Sequence, residues 1–398
     1  MKHDVVKKAA SIKKELIAWR RHIHKNPELS GMEKNTSAFV AKVLRQSGIS
    51  VKTGIGGYGV VGLLKGKTKG PVIALRADMD ALPVHEKNNV SYCSSIPGVM
   101  HACGHDVHIA VLLGAAGILS TFKDKLFGSV KFIFQPSEEK SPGGAEDMIK
   151  DGALMSPRPS AIVALHCFPE YPVGKAGIRY GVMTASADSF TVVIKGKGGH
   201  AARPHQAIDA IATASLAINA IHEIVGRKID PTENAVISIG KITGGAARNV
   251  VADRVEFEGT IRTIDANLRK KIPSLIERTL RGVTYASKAS YEFCYEKGCP
   301  SVINDKKLTD MVRRSAIEIL GEKNVVIMEK AVMGAEDFSL FAEEVPGTLF
   351  RLGTGNAKKG AASCLHSSTF DVDEGCLTIG ASLMAGMVVD FLSKGGLK

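Results

Sequence analysis

Aromatic side chains are scarce: Trp19 is the one tryptophan in 398 residues, tyrosine occurs seven times, and all aromatics make up 6%. So few flat rings offer little for stacking nucleic-acid bases. The net charge of +12 would suit a phosphate-binding surface. Its Lys and Arg residues are spread along the chain, however, with a cluster only in the first helical stretch, which reads as solvated helix faces, and no nucleic-acid partner is expected. No run reaches the roughly 18 uninterrupted apolar residues of a membrane span. The opening MKHDVVKKAASIKKEL has no apolar stretch of signal-peptide length, so a soluble, non-exported, cytoplasmic protein with no membrane partner is the expectation. Seven cysteines, an odd number scattered over a long chain, do not form a disulfide framework and point to a reducing compartment. Neither a solenoid-length repeat nor a low-complexity tract occurs.

What is present is ordinary globular usage, 44% apolar and 23% charged, in a chain long enough for two domains. Apolar positions recur at helical spacing from Val5 to Ile23 and stop at Pro27. A second helix is predicted from an N-cap at Thr36 to Gln46. Unbroken apolar runs at Val60–Leu64, Val72–Leu75, Val130–Phe134 and Ala161–Leu165 alternate with helical stretches, as buried parallel strands do. From about Ala185 the texture changes to alternating strands and two long helices, and after Pro300 the first rhythm returns. The economical arrangement is α/β: a layered catalytic domain with a mostly parallel sheet, residues 1–184 and 297–398, interrupted by an inserted α+β domain, residues 185–296. GIGGYG at 54–59 matches a dinucleotide fingerprint, but the strand-like VVGLL follows it where a helix should open, so a glycine-rich turn is expected.

The chemistry concentrates where buried strands end, the usual site position in open α/β sheets. RADMDALP delivers Asp78 and Asp80. MHACGHDVH packs Cys103, His105 and further His and Asp residues into one loop before an apolar helix, a donor set suited to a borderline metal such as zinc; a polar helix cap with a buried cysteine is the competing explanation. FQPSEE ends a buried strand at Pro136 and presents Glu138 and Glu139, and such neighbouring carboxylates repel unless something positive compensates them. His166 of ALHC and His366 of CLHSSTFDVDE are single histidines that a core or edge position would equally explain.

Together RADMDALP, MHACGHDVH, FQPSEE, ALHC, KGGHAARPH, RNVVADR, GTIRT, GAEDF and CLHSSTFDVDE, with RRHIHKNPELS near the start, resemble the dinuclear-metal aminoacylase and carboxypeptidase family. The subgroup is that of hippurate hydrolases and indole-acetyl-amino-acid hydrolases, and the resemblance spans nearly the whole chain. It implies that Cys103, His105, Glu139, His166 and His366 hold two divalent ions per subunit (zinc, manganese or cobalt), with Cys103 as the bridge. Glu138 would be the general base, and Asp80 would orient a ligand from behind. It also implies a ferredoxin-like inserted domain acting as a lid and as a surface for a homodimer or homotetramer. In that domain His200 would polarise the scissile carbonyl, while Asn249 and Arg262 would grip the substrate carboxylate. Asp78 departs from the pattern, since more distant relatives place a metal-binding histidine there.

The activity so implied is hydrolysis of the amide bond of N-acyl-L-amino acids carrying acetyl, benzoyl or similar acyl groups, with dipeptides or small peptides as the alternative substrates. Two other classes stand beside it. A thiol hydrolase would need Cys103 and His105 as nucleophile and base, a spacing poorly suited to that pair but well suited to a metal. A non-catalytic binder of acyl-amino acids would have no use for Glu138.

Overall fold

The structure is a computed structural model that describes residues 1–140 and 143–397. Contacts divide the chain into two units, Met1–Met183 with Val302–Lys330 and Asp337–Lys398, and Thr184–Ser301 with Ala331–Glu336. The change of texture in the sequence put the borders at 184/185 and 296/297; the contacts place them at 183/184 and 301/302 and give the second unit the short segment Ala331–Glu336 as well.

The first unit is built on an eight-stranded sheet, in the order Ser50–Ile55, Gly59–Lys65, Phe127–Gln135, Thr68–Asp78, Ala161–Pro172, Gly347–Gly355, Ala176–Ile178 and Val325–Ile327. The four strands in the middle are mutually parallel. They are buried on both faces, which is why they read as continuous apolar runs. Two helices, His105–Ser120 and Gly375–Ser393, are apolar all round and run through the core, packed against each other. The second of these is long and apolar enough to cross a membrane by composition, yet most of it is covered inside the unit. Residues 54–59 form the turn between the first two strands, with Gly54, Gly56 and Gly57 at positive φ, and no helix opens there.

The N-terminal stretch differs from its predicted outline. It forms two helices, Lys2–Ser11 and Lys13–Lys25, separated at Ile12. The next helix begins at Lys34 instead of after Thr36, because the Glu28 carboxylate accepts the backbone N–H groups of Asn35 and Thr36 and caps it from upstream. A search for a local Ser or Thr cap misses a partner of that kind.

In the second unit a four-stranded antiparallel sheet, ordered Ala235–Gly244, Arg254–Thr263, Ser186–Lys195, Ser290–Glu296, pairs with helices Ala210–Arg227 and Ala266–Ser287. The chain order strand, helix, strand, strand, helix, strand is the ferredoxin-like arrangement. Phe190, Val192, Phe257, Ile221 and Ile276 form its core, and Asp209 and Asp265 cap the two helices. The strand Ser290–Glu296 went unread in the sequence, since its residues alternate between exposed and half-buried without a strong apolar signal.

Candidate metal centre

The parallel middle strands of the first unit deliver the candidate side chains towards and beyond their carboxyl ends. Thr68–Asp78 leads into Asp80, Phe127–Gln135 into Glu138 and Glu139, and Ala161–Pro172 carries His166. The helix His105–Ser120 starts beside them after Gly104, whose φ is +87°; a Cβ there would lie 2.8 Å from Cys167 Sγ. Only glycine meets both conditions, and it lets Cys103 and His105 approach the strand ends. His366 N–H donates to Ala102 O at 2.8 Å, which ties the C-terminal loop to the same place.

Donor atoms of Cys103, His105 and His166 lie within 4.8 Å of one another, and so do those of Cys103, Glu139 and His366 and those of His105, Glu138 and Glu139. Cys103 Sγ is 3.5 Å from His166 Nε2, and Glu139 Oε1 is 3.3 Å from His366 Nε2 and 3.9 Å from His105 Nε2. Each buried imidazole is oriented by its other nitrogen. His166 Nδ1–H donates to Cys167 O and His105 Nδ1–H to Asp80 O, so both Nε2 atoms point inward. His366, 54% exposed at its side chain, sits in a left-handed conformation with φ +65°.

These residues fit a pair of cations. His105 Nε2 and Glu139 Oε1 are buried without a hydrogen-bond partner, an arrangement that costs free energy unless something positive satisfies it. Burial opposes a charge on His105, yet the carboxylates of Asp78, Asp80 and Glu139 hold its pKa up to about 10. Burial, and then the carboxylates of Glu139, Glu138 and Asp78, push the Cys103 thiol well above its usual range. Burial keeps His166 neutral, helped by Arg351 and His108. The cluster is rich in anions and short of cations, and its S, N and O donors are those of a borderline divalent metal.

A model of peptidase family M20/M25/M40 matches residues 74–390. The chain belongs to this family. It is 43% identical over 303 residues to the N-acyl-L-amino acid amidohydrolase of Geobacillus stearothermophilus, covering 76% of this chain and 81% of that one. It is 41% identical over 399 residues to thermostable carboxypeptidase 2 of Saccharolobus solfataricus, covering 98% and 100%. Among solved structures, a dinuclear metal binding peptidase of Bacillus subtilis superimposes with TM-score 0.83 at 34% identity, over 96% of this chain and 99% of that one. This M20 chain is therefore a metal-dependent hydrolase of amide bonds that uses two divalent ions.

Behind the cluster the M20 enzyme surrounds Asp80, Asp78 and Asp106 with side chains that the sequence did not single out, namely Ser30, Arg76, Arg20 and His24. Asp80 Oδ2 accepts Ser30 Oγ–H at 2.7 Å and Glu139 N–H at 2.9 Å, and its Oδ1 is 3.3 Å from His105 Nδ1. Asp78 is held by other side chains: Arg76 donates to one of its oxygens and His108 to the other, and His108 Nε2 accepts Cys167 N–H. Both nitrogens of His108 are thus committed to Asp78 and Cys167, which ties the nearby Asp78, His105 and His108 into one hydrogen-bonded network. Arg20 bridges Asp106 and Asp371, each close in sequence to a member of the cluster, and His24 links Asp106 to Glu86. RRHIHKNPELS contains Arg20, His24 and Ser30, so the signal was present, but a motif match does not say which side chain turns inward.

His200, Asn249 and Arg262 lie in the second unit. His200 and Asn249 come together there, where the strand Gly199–His200 pairs with Val250–Val251 and Ala201 N–H donates to Asn249 O. His200 Nδ1 accepts Ala202 N–H, which leaves the proton on Nε2. Arg262 is on the separate four-stranded sheet, in register with Val236 and Ala187.

Proposed function

We propose that the protein hydrolyses the amide bond of N-acyl-L-amino acids, with Cys103, His105, His166, Glu139 and His366 holding the two ions and Glu138 acting as general base. The observation that carries this reading is the sharing of Cys103 by two donor groups, one with His105 and His166, the other with Glu139 and His366. A thiolate with spare lone pairs suits a bridge. Zinc, manganese and cobalt all match the donor types. When bound, the pair of ions supplies Lewis-acid polarisation of the carbonyl and lowers the pKa of water towards about 7.

The residues do the rest. Glu138 takes a proton from the attacking water and later delivers it to the departing amine nitrogen. Asp80 keeps the His105 proton on Nδ1 and anchors Glu139 through its backbone N–H. For the second unit the reading assigns His200 Nε2–H to the developing oxyanion, and Asn249 and Arg262 to the substrate carboxylate, for which a guanidinium fork is suited. The same unit would be the surface for a homodimer or homotetramer; exposed Val236 and Ile242 on its edge strand support that role. Seven free cysteines, Cys103 among them, support a reducing, cytoplasmic setting.

The test uses benzoyl-glycine, acetyl-amino acids and dipeptides on metal-loaded and chelator-stripped protein. Acyl-amino acids are expected to turn over fastest, only in the loaded form, and Glu138→Gln is expected to cut kcat by about 10²- to 10⁴-fold with metal content retained. Undiminished turnover in Glu138→Gln, or full activity after stripping, would overturn the reading. Faster cleavage of dipeptides would move the substrate class to that of the carboxypeptidase relative.

A further inference from the structure

Glu33 occupies the N-cap position of the helix Lys34–Gln46, yet its carboxylate caps nothing there, because Glu28 performs that task from upstream. It is fully buried, and burial pushes its carboxyl above the usual range. A buried carboxylate that does not serve its own helix needs another reason to be kept. Its Oε1 accepts the backbone N–H of Ser137 at 2.8 Å and lies 3.4 Å from Ser137 Oγ.

Ser137 is one of four non-glycine residues with positive φ among the described residues, at +58°. A residue with a Cβ resists that conformation unless its surroundings impose it. Here both ends are pinned: the N–H by Glu33, and the C=O by Gly144 N–H at 2.9 Å. Ser137 immediately precedes Glu138 and Glu139, and the chain is fixed again where Glu139 N–H meets Asp80 Oδ2. The direction in which the two carboxylates leave the strand end is therefore set between Glu33 and Asp80.

We propose that Glu33 is a positioning residue that locks Ser137 in its left-handed conformation and so aims Glu138 and Glu139. The inference rests on the reading of Glu138 as base and Glu139 as ligand. Misplacing a reacting group by an ångström can cost about 100-fold, so Glu33→Ala is expected to lower kcat by about 10- to 100-fold, with KM within about threefold. Glu33→Gln retains an oxygen to accept Ser137 N–H and is expected to restore most of kcat.

The decisive arm changes only backbone preference. Glycine enters the left-handed region without a Cβ penalty, so adding Ser137→Gly to Glu33→Ala is expected to raise kcat again by about tenfold. With Glu33 intact, Ser137→Val, whose branched Cβ opposes positive φ, is expected to lower kcat as Glu33→Ala does; this arm serves even if Glu33→Ala fails to fold. All variants are assayed as metal-loaded, full-length enzyme per mole of folded protein, with Glu138→Gln alongside. Wild-type kcat in Ser137→Val, or no gain from glycine in the Glu33→Ala background, overturns the proposal. If Glu138→Gln is inactive while the Glu33 and Ser137 variants are unimpaired, this inference alone falls; if Glu138→Gln is fully active, the reading beneath it falls.

Discussion

Replacing Arg20 by alanine should destabilise the first unit more than any surface change, and the amount follows from its surroundings. The guanidinium is fully buried, with Nε 2.7 Å from Asp106 Oδ2, Nη2 2.7 Å from Asp371 Oδ1, and its carbon 4.8 Å above the Tyr92 ring. Removing it leaves the buried Asp106 with His24 as its one remaining cationic partner among the described residues and takes the cation from the partly exposed Asp371, which keeps Tyr92 Oη–H and Val372 N–H. Breaking a buried pair from one side typically costs about 3–5 kcal/mol. With a urea dependence of about 3 kcal/mol per molar, the midpoint should fall by roughly 1–1.7 M. Trp19, the neighbouring residue on the same helix and packed against the core, is the one tryptophan, so its fluorescence reports this unit. Because the cost comes from the uncompensated anion, Asp106→Asn added to Arg20→Ala should cost less than the sum of the single changes. A midpoint shift below about 0.3 M, or strict additivity, refutes the reasoning.

Three further outcomes are expected. Metal loading of the stripped protein near pH 7.5 should release about two protons per chain, one from the raised Cys103 thiol and one from His105, read from the buffer dependence of the calorimetric heat; a buffer-independent heat contradicts this. Asp80→Ala takes the carboxylate away from Glu139 N–H and from beside His105 Nδ1, leaving His105 only its bond to the backbone carbonyl at that position, and should weaken metal affinity by about 10- to 100-fold in a competition titration, whereas unchanged affinity removes the carboxylate's orienting role. The Arg20 network should be most stabilising between about pH 4.5 and 6.5. Although burial opposes their charge, His24 lowers the Glu86 pKa to about 2, and Arg20 and His24 hold Asp106 far below its usual range, so their contribution is complete above the ordinary carboxylate pKa and is lost as pH falls towards the folded values. His24, raised against burial by Asp106 and Glu86, contributes fully below its ordinary pKa and loses that contribution as pH rises through its folded value. Urea midpoints of wild type and of Glu86→Gln measured from pH 3 to 8 check the acid side, where the variant should show a shallower fall.

The layered first unit was legible because its middle strands are buried on both faces and therefore read as uninterrupted apolar runs. The half-exposed strand Ser290–Glu296 carried no such contrast and was missed. His166 and His366 entered only through the family resemblance, but Cys103, His105, Glu138 and Glu139 could be picked as candidate donors from the sequence, because a thiol and an imidazole in one loop before an apolar helix and a carboxylate pair after a buried strand are unusual. Their partners could not. Ser30, Glu33, Arg20 and His24 are ordinary polar residues on N-terminal helices and turns, and nothing local distinguishes an inward carboxylate or guanidinium from a solvated one.

By itself the sequence determined which segments are buried, since apolar periodicity is a local property, and which residue types could hold cations. Tertiary structure alone decided that Asp78 pairs with Arg76 and His108, and that a glutamate about a hundred residues upstream grips the backbone before Glu138. Such pairings depend on which distant side chains meet once water is excluded, and that is a property of the packed chain.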